Sequence, residues 1–218
     1  DGDIIVEGYA YGAFEFAEET IAAGDYYNYF MAAFDSSGNE LWCKIREVNT
    51  LHSRIQHSAL APNGDFAWIT KFDDEVSEDE VSYSAEGSSN LLLQVYNSEG
   101  VVLWNKVLEG HFHMMEQVMA FDSNSELIIA GRMSDWTEID DEVFLCDNDI
   151  YLWRFNQSGV LTDSRTFGGQ AIEYPTAIEI DEQDNIIVAG FFNWGDFVVE
   201  TDVHIFQGEL DVFTVKFD

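Results

Sequence analysis

The tightest set of groups that could hold a metal or move a proton is His111, His113 and Glu116, in "HFHMME". In a strand, successive side chains point to opposite faces, so the two imidazoles of "HFH" would share one face. A zinc site needs further ligands held in fixed geometry. None follows at a fixed spacing, so the segment reads as a plain junction. His52 and His57 lie in an equivalent junction and read the same way, and His204 stands apart. Cys43 and Cys146 lack metal-ligand spacing, cannot be paired from sequence, and read as free thiols. The chain has no Gly-x-Ser-x-Gly motif and no phosphate-binding glycine loop.

Carboxylates are plentiful: 42 acidic residues stand against 9 basic ones, for a net charge of −33. The run "DDEVSEDE" at 73–80 reads as a solvated acidic loop. Calcium takes oxygen ligands from such flexible acidic loops. Its best candidates are Asp181 and Asp184 in "DEQDN", with Asp147 and Asp149 in "CDND". No EF-hand spacing is present, and no cofactor is required by the sequence. A pair of acids for a hydrolase cannot be singled out among so many. Aromatic residues that could stack on sugar rings or bury in a protein interface include Tyr9, Tyr11, Trp136, Trp194 and Phe197.

The charge repels nucleic-acid phosphates and anionic membranes, which excludes both as expected partners. It suits marine or salt-rich solvent. No apolar run is long enough to span a bilayer. The opening "DGDIIVEGYA" has no basic start and no apolar signal core, so any signal peptide has been removed or was not included. With 46% hydrophobic and 15% aromatic residues, the chain can fill a core.

The elements that must position these groups repeat. "GDIIVEGYA", "GDFAWITKF", "SELIIAGRM" and "DNIIVAGFF" align so that Ile4, Phe66, Leu127 and Ile186 share a position, 62, 61 and 59 residues apart. Each follows a polar turn and reads as a strand. A second set, "YFMAAFDSSG", "LLLQVYNSEG" and "IYLWRFNQSG", ends on Gly38, Gly100 and Gly159. Glycine there supplies a positive φ without steric cost. "DVFTVKFD" at 211–218 is a fourth copy without its glycine. Trp42 and Trp104 follow their glycines by four residues, and Asp163 takes that place in the third copy. Just before each of these strands stands Asn28, Asn90, Asp149 or Asp211, read as a side chain that hydrogen-bonds nearby backbone.

With a third strand set preceding the first, one unit is four strands in about 60 residues, the pattern of a β-propeller blade. The expected fold is all-β: one domain over 1–218, a propeller of about four repeats at 1–49, 50–110, 111–169 and 170–218. The first repeat lacks its first strand and the last its fourth. The expectation is therefore either a fragment of a longer propeller or subunits that cover each other's exposed edges.

These repeats resemble the β-propeller repeats of secreted and cell-surface bacterial proteins known as SBBP repeats. "DNIIVAGFFNWGDF" with "LDVFTVKFD", and "DIIVEGYAYGAFEF" with "YFMAAFDSSGNELW", carry the likeness; Thr70 and Asp163 depart from it. The resemblance implies an extracellular or cell-surface location. The expected function is a non-catalytic scaffold or protein-interaction module, part of an adhesin or extracellular assembly. A carbohydrate-binding module using the insertion aromatics is the alternative, and an acid-based hydrolase the second.

Overall fold

A computed structural model of the protein describes residues 3–11, 14–16, 19–21, 27–48, 54–78, 81–85, 89–112, 117–139 and 142–218. Glu116 and His52 lie outside them, as does His113.

The described residues form strands and turns, with no helix among them. The first repeat unit holds β1 (Ile4–Tyr11), the short β2 (Phe14–Phe16) and β3 (Glu19–Ile21), β4 (Tyr27–Phe34) and β5 (Glu40–Val48). The second holds β6 (Arg54–Leu60), β7 (Phe66–Phe72), β8 (Glu75–Glu78), β9 (Val81–Ser84), β10 (Asn90–Tyr96) and β11 (Val102–Phe112). The third holds β12 (Val118–Phe121), β13 (Leu127–Ile139), β14 (Glu142–Phe155) and β15 (Leu161–Gly169). The fourth holds β16 (Ile172–Ile180), β17 (Ile186–Asn193), β18 (Phe197–Val199), β19 (Asp202–His204) and β20 (Asp211–Phe217).

The closed propeller expected from the repeats is not what these strands build. They form three separate antiparallel sheets and a small hairpin, none of them closed. One sheet runs β1-β4-β5-β8-β9, one has ten strands from β19 to β6, one is β16-β17-β20, and β2-β3 stand as a pair. The physical reason lies in β5, β11 and β15, the last strands of the first three units, each of which also hydrogen-bonds the insertion of the next unit. At the end of β5, Arg46 and Val48 pair with Glu78 and Val76 of β8. On β11, Glu109 to Phe112 pair with Glu138 to Met133 of β13, across a bulge after Gly110. On β15, Gly168 and Gly169 pair with Val198 and Phe197 of β18. Hydrogen bonds therefore run across the junctions where discrete blades would separate, and the second and third units merge into one sheet.

The insertions between the second and third strands of the units are largely hairpins, and three of them clamp the preceding unit. The acidic run at 73–80 is a case in point. Its Val76 and Glu78 are buried on β8, so it is not a solvated loop.

The core forms between units, because each strand offers one face to each neighbour. Tyr29 and Met31 of the first unit pack with Phe66, Trp68, Leu92 and Tyr96 of the second. Ile69, Leu91 and Leu93 of the second pack with Leu127, Ile129, Tyr151 and Trp153 of the third. Ile128, Ile150 and Leu152 of the third pack with Ile186, Val188, Phe213 and Phe217 of the fourth. The same contact is used three times: one alignment position after another, an outgoing face meets an incoming face.

Candidate interaction surface

The turn chemistry is built as the residue types dictate. Gly38, Gly100 and Gly159 have φ of 83°, 75° and 77°. Ahead of each, an Asx side chain closes the turn. Asn97 Oδ1 accepts from the Glu99 and Val101 amides at 3.1 and 2.9 Å, and Asn156 does the same for Ser158 and Val160. The strand-entry residues also bind backbone. Asn90 Nδ2 donates to the Asp73 carbonyl at 3.0 Å, and its Oδ1 accepts from the Gly110 amide at 3.3 Å. Asp149 accepts from the Gly169 amide at 3.0 Å and Asp211 from the Gln207 amide at 2.8 Å. Asn28 is buried.

The calcium candidates separate. Asp181 caps its own turn through the Gln183 and Asn185 amides and receives Lys216 Nζ at 2.6 Å. Those partners, Lys216 foremost, hold its carboxyl well below the usual range. Both Asp184 oxygens are taken by Ser123, whose amide and hydroxyl donate at 2.9 and 2.6 Å; its carboxyl is lowered accordingly. Asp149 sits on β14, and the side chains of Asp147 and Cys146 lie outside the described residues, as does that of His111. Among the described residues no group of three His, Cys, Asp or Glu side chains is placed to hold a metal. Cys43 is a half-buried thiol.

The aromatic candidates also part company. Tyr9 and Trp194 are exposed, Trp136 less so, and Phe197 is wholly buried, stacked on Phe213 at 4.5 Å. The Tyr11 side chain lies outside the described residues. Trp42 and Trp104 have a different use. The Trp42 ring covers Gly100 and its Nε1 donates to the Ser98 carbonyl at 2.9 Å; the Trp104 ring covers Gly159. Each tryptophan therefore seats on the glycine turn of the next unit. Asp163, in the tryptophan position of the third unit, instead accepts from Arg165 Nε at 2.9 Å.

Two buried polar groups escaped sequence reasoning. Arg46 and Glu78 form a fully buried ion pair at 2.9 Å. Tyr96 joins it, receiving from Arg46 Nη2 at 3.0 Å and donating to Glu78 at 2.6 Å, and burial pushes its hydroxyl pKa up. Thr70 and Gln94 complete the set, and the guanidinium lies 3.7 Å from the centroid of the Trp68 ring. Glu173 on β16 is also buried, and among the described residues neither carboxyl oxygen has a hydrogen-bond partner. Burial first, then the Asp149 carboxylate, raises its pKa to about 7.

The surface that stands out is defined by comparison within the chain. Val212 is 81% exposed, whereas Tyr29, Leu91 and Ile150, at the same repeat position, are 3%, 0% and 0% exposed. Thr214 is exposed where Met31, Leu93 and Leu152 are buried. At the other end of the row of units, Ile4 is 56% and Val6 38% exposed, and their counterparts in the other three units are all buried. The edges match the faces. β4, β10 and β14 each have two strand partners, but among the described residues β20 pairs only with β17, and β1 only with β4. A cleft of about 360 Å³ opens beside β20, lined by Phe192, His204, Ile205, Asp211, Val212 and Phe213.

No family profile matches the chain, and no curated protein matches it. Among solved structures, a protein of unknown function from Bacteroides caccae aligns over 80% of this chain and 67% of its own, at 9% identity and a TM-score of 0.29. That likeness is too loose to assign a fold.

Proposed function

We propose that this chain is a non-catalytic extracellular scaffold, a protein-interaction module of a bacterial surface or exported assembly. The observation that carries the reading is Val212: an apolar residue at a repeat position that is buried three times elsewhere in the chain, yet 81% exposed on β20. Among the described residues β20 pairs only with β17, and such an open edge is a template for strand addition. The acidic surface and the resemblance to secreted repeats support the extracellular location.

A synthetic peptide with the sequence of residues 102–110, the start of β11, tests the edge. It is expected to slow amide hydrogen exchange along β20. If saturating peptide leaves β20 exchange unchanged, strand acceptance is wrong. If a glycosidase or esterase panel gave turnover that a single acid substitution abolished, the non-catalytic part would fall. A carbohydrate-binding module is the second reading, favoured by the exposed Trp194 ring. A glycan array with the wild type and Trp194→Ala decides it: sugar binding lost in the variant supports it, and no binding removes it.

A further inference from the structure

The insertion of the third unit is apolar on both of its faces. Residues 134–139 of β13 pair with residues 142–147 of β14, with Trp136 opposite Leu145 and Glu138 opposite Val143. Opposed residues of an antiparallel pair share a face. On the inner face Thr137 and Ile139 are buried, and Phe144 packs against the core between the second and third units, 6.1 Å from the Trp153 ring centroid. On the outer face Trp136, Val143 and Leu145 are 40%, 61% and 77% exposed. A hairpin with one face on a core keeps its other face polar when water is its only neighbour. The inner face already meets the core, so the outer apolar row serves something else, and such rows mark interaction sites.

The edge beside this row is open as well. Among the described residues, 142–147 pair only with β13, and β14 meets β15 only from Ile150 onward. Exposed edges are commonly protected by lysine or proline. Residues 142–147 hold neither. The outer strand of the second unit's insertion, β9, reads "VSYS" and exposes Ser82 and Ser84 instead. The charge around the row has one sign: Asp135, Glu138 and Glu142 are exposed, and residues 134–149 contain no Lys, Arg or His. We propose that this edge receives an extended basic segment of a partner protein, one that alternates Lys or Arg with apolar residues and adds as a strand beside residues 142–147. Its main chain would hydrogen-bond the edge, its apolar side chains continue the Val143 and Leu145 row, and its cations meet the surrounding acids. This rests on the interaction-module reading and names a site and a partner class for it. A second copy of the chain is a poorer occupant, because two molecules at −33 repel each other.

Short synthetic peptides test it: one alternates Lys with Val, one Lys with Ser, and one Glu with Val. Titrated into the full chain, the Lys–Val peptide should slow amide hydrogen exchange at residues 142–147, and bind more weakly as sodium chloride is raised. The other two should leave those amides unchanged. Leu145→Lys places a cation in the apolar row. That site is exposed, so the variant should fold with unchanged circular dichroism and bind the Lys–Val peptide ~10-fold or more weakly. Glu138→Lys with Glu142→Lys should turn the preference toward the Glu–Val peptide. No protection of 142–147 at millimolar Lys–Val peptide overturns the inference. So does equal protection by the Lys–Ser peptide, which would mean charge alone, or by the Glu–Val peptide, and so does binding that Leu145→Lys leaves intact. Protection by phosphatidylcholine vesicles and not by the peptide would assign the row to a lipid surface. Protection that grows with chain concentration alone would assign it to a second copy. Either result overturns the basic partner. The β20 test reads different amides, so a failure at 142–147 and a failure of the interaction-module reading are told apart.

Discussion

The glycine at the middle of each second strand is tied to the ring across from it. Gly8 pairs with Phe30, Gly131 with Tyr151 and Gly190 with Phe213. A Cβ on Gly131 would lie 2.6 Å from Tyr151 Cζ. That ring cannot yield, since it is buried and stacked on Trp153 at 3.9 Å. In the second unit the glycine is Thr70, and its partner is Leu92, which has no ring. Thr70 was legible in the sequence as a departure from the repeat. Its compensation was not, because it depends on strand register. Gly131→Ala should therefore cost about 1–3 kcal/mol as overpacking. Tyr151→Leu in the same chain should recover part of that loss, read as a non-zero coupling energy from urea unfolding of the two single variants and the double variant. Strict additivity would refute the link. Glu173 gives a second residue-scale prediction. Its folded pKa, about 7, lies above the ordinary value of 4.5, so between these values the folded state binds the proton more tightly. The stability it contributes is whole below pH 4.5 and is lost as pH rises through about 7. Glu173→Gln removes that loss. Its stability relative to wild type should rise from about pH 5 to about pH 8 by up to about 3 kcal/mol, and a pH-independent difference would show that the carboxyl does not titrate in this way.

At the scale of elements, the repeated strands and their glycine turns were readable because apolar alternation and turn residues are local signals. The hairpins of the insertions were not. β8 reads "EVSE", and an acid in a strand facing a core contradicts local pattern unless a cation meets it. The cation is Arg46, 32 residues away on β5, so the signal for β8 is tertiary. The interlock of Trp42 with Gly100 was half readable: both residues recur, but nothing local says that the ring of one unit covers the turn of the next. The Arg46 and Glu78 pair fastens β8 to β5, and removing one partner leaves a buried charge. Arg46→Met should cost about 3–5 kcal/mol. Replacing both, Arg46→Met with Glu78→Leu, should restore much of it, since apolar residues of similar volume tolerate such a site. A double variant as unstable as the single one would mean that Thr70, Gln94 and Tyr96 depend on the charge pair more than the pair depends on itself.

For the whole molecule, the repeat period announced the order of the main strands of each unit but neither the added strands of the insertions nor closure. Closure depends on where the last strand of each unit finds hydrogen bonds, and here β5, β11 and β15 find them in the next unit's insertion. The net charge is the other whole-molecule property, and it acts without regard to topology. With −33 on 218 residues, the compact state repels itself more than the expanded chain does. At 0.1 M ionic strength the screening length is about 10 Å, and near 1 M it is about 3 Å. The urea midpoint should therefore rise steadily with sodium chloride, with the slope of unfolding unchanged. Urea is the required denaturant, because guanidinium would itself screen the charge. Calcium chloride at matched ionic strength then separates screening from binding. Asp181 and Asp184 already use their oxygens on Lys216, Ser123 and turn amides. Calcium at those two aspartates would have to displace these partners. The expected outcome is a midpoint in calcium chloride equal to that in sodium chloride, and an excess that Asp184→Asn abolishes would establish a calcium site at that turn.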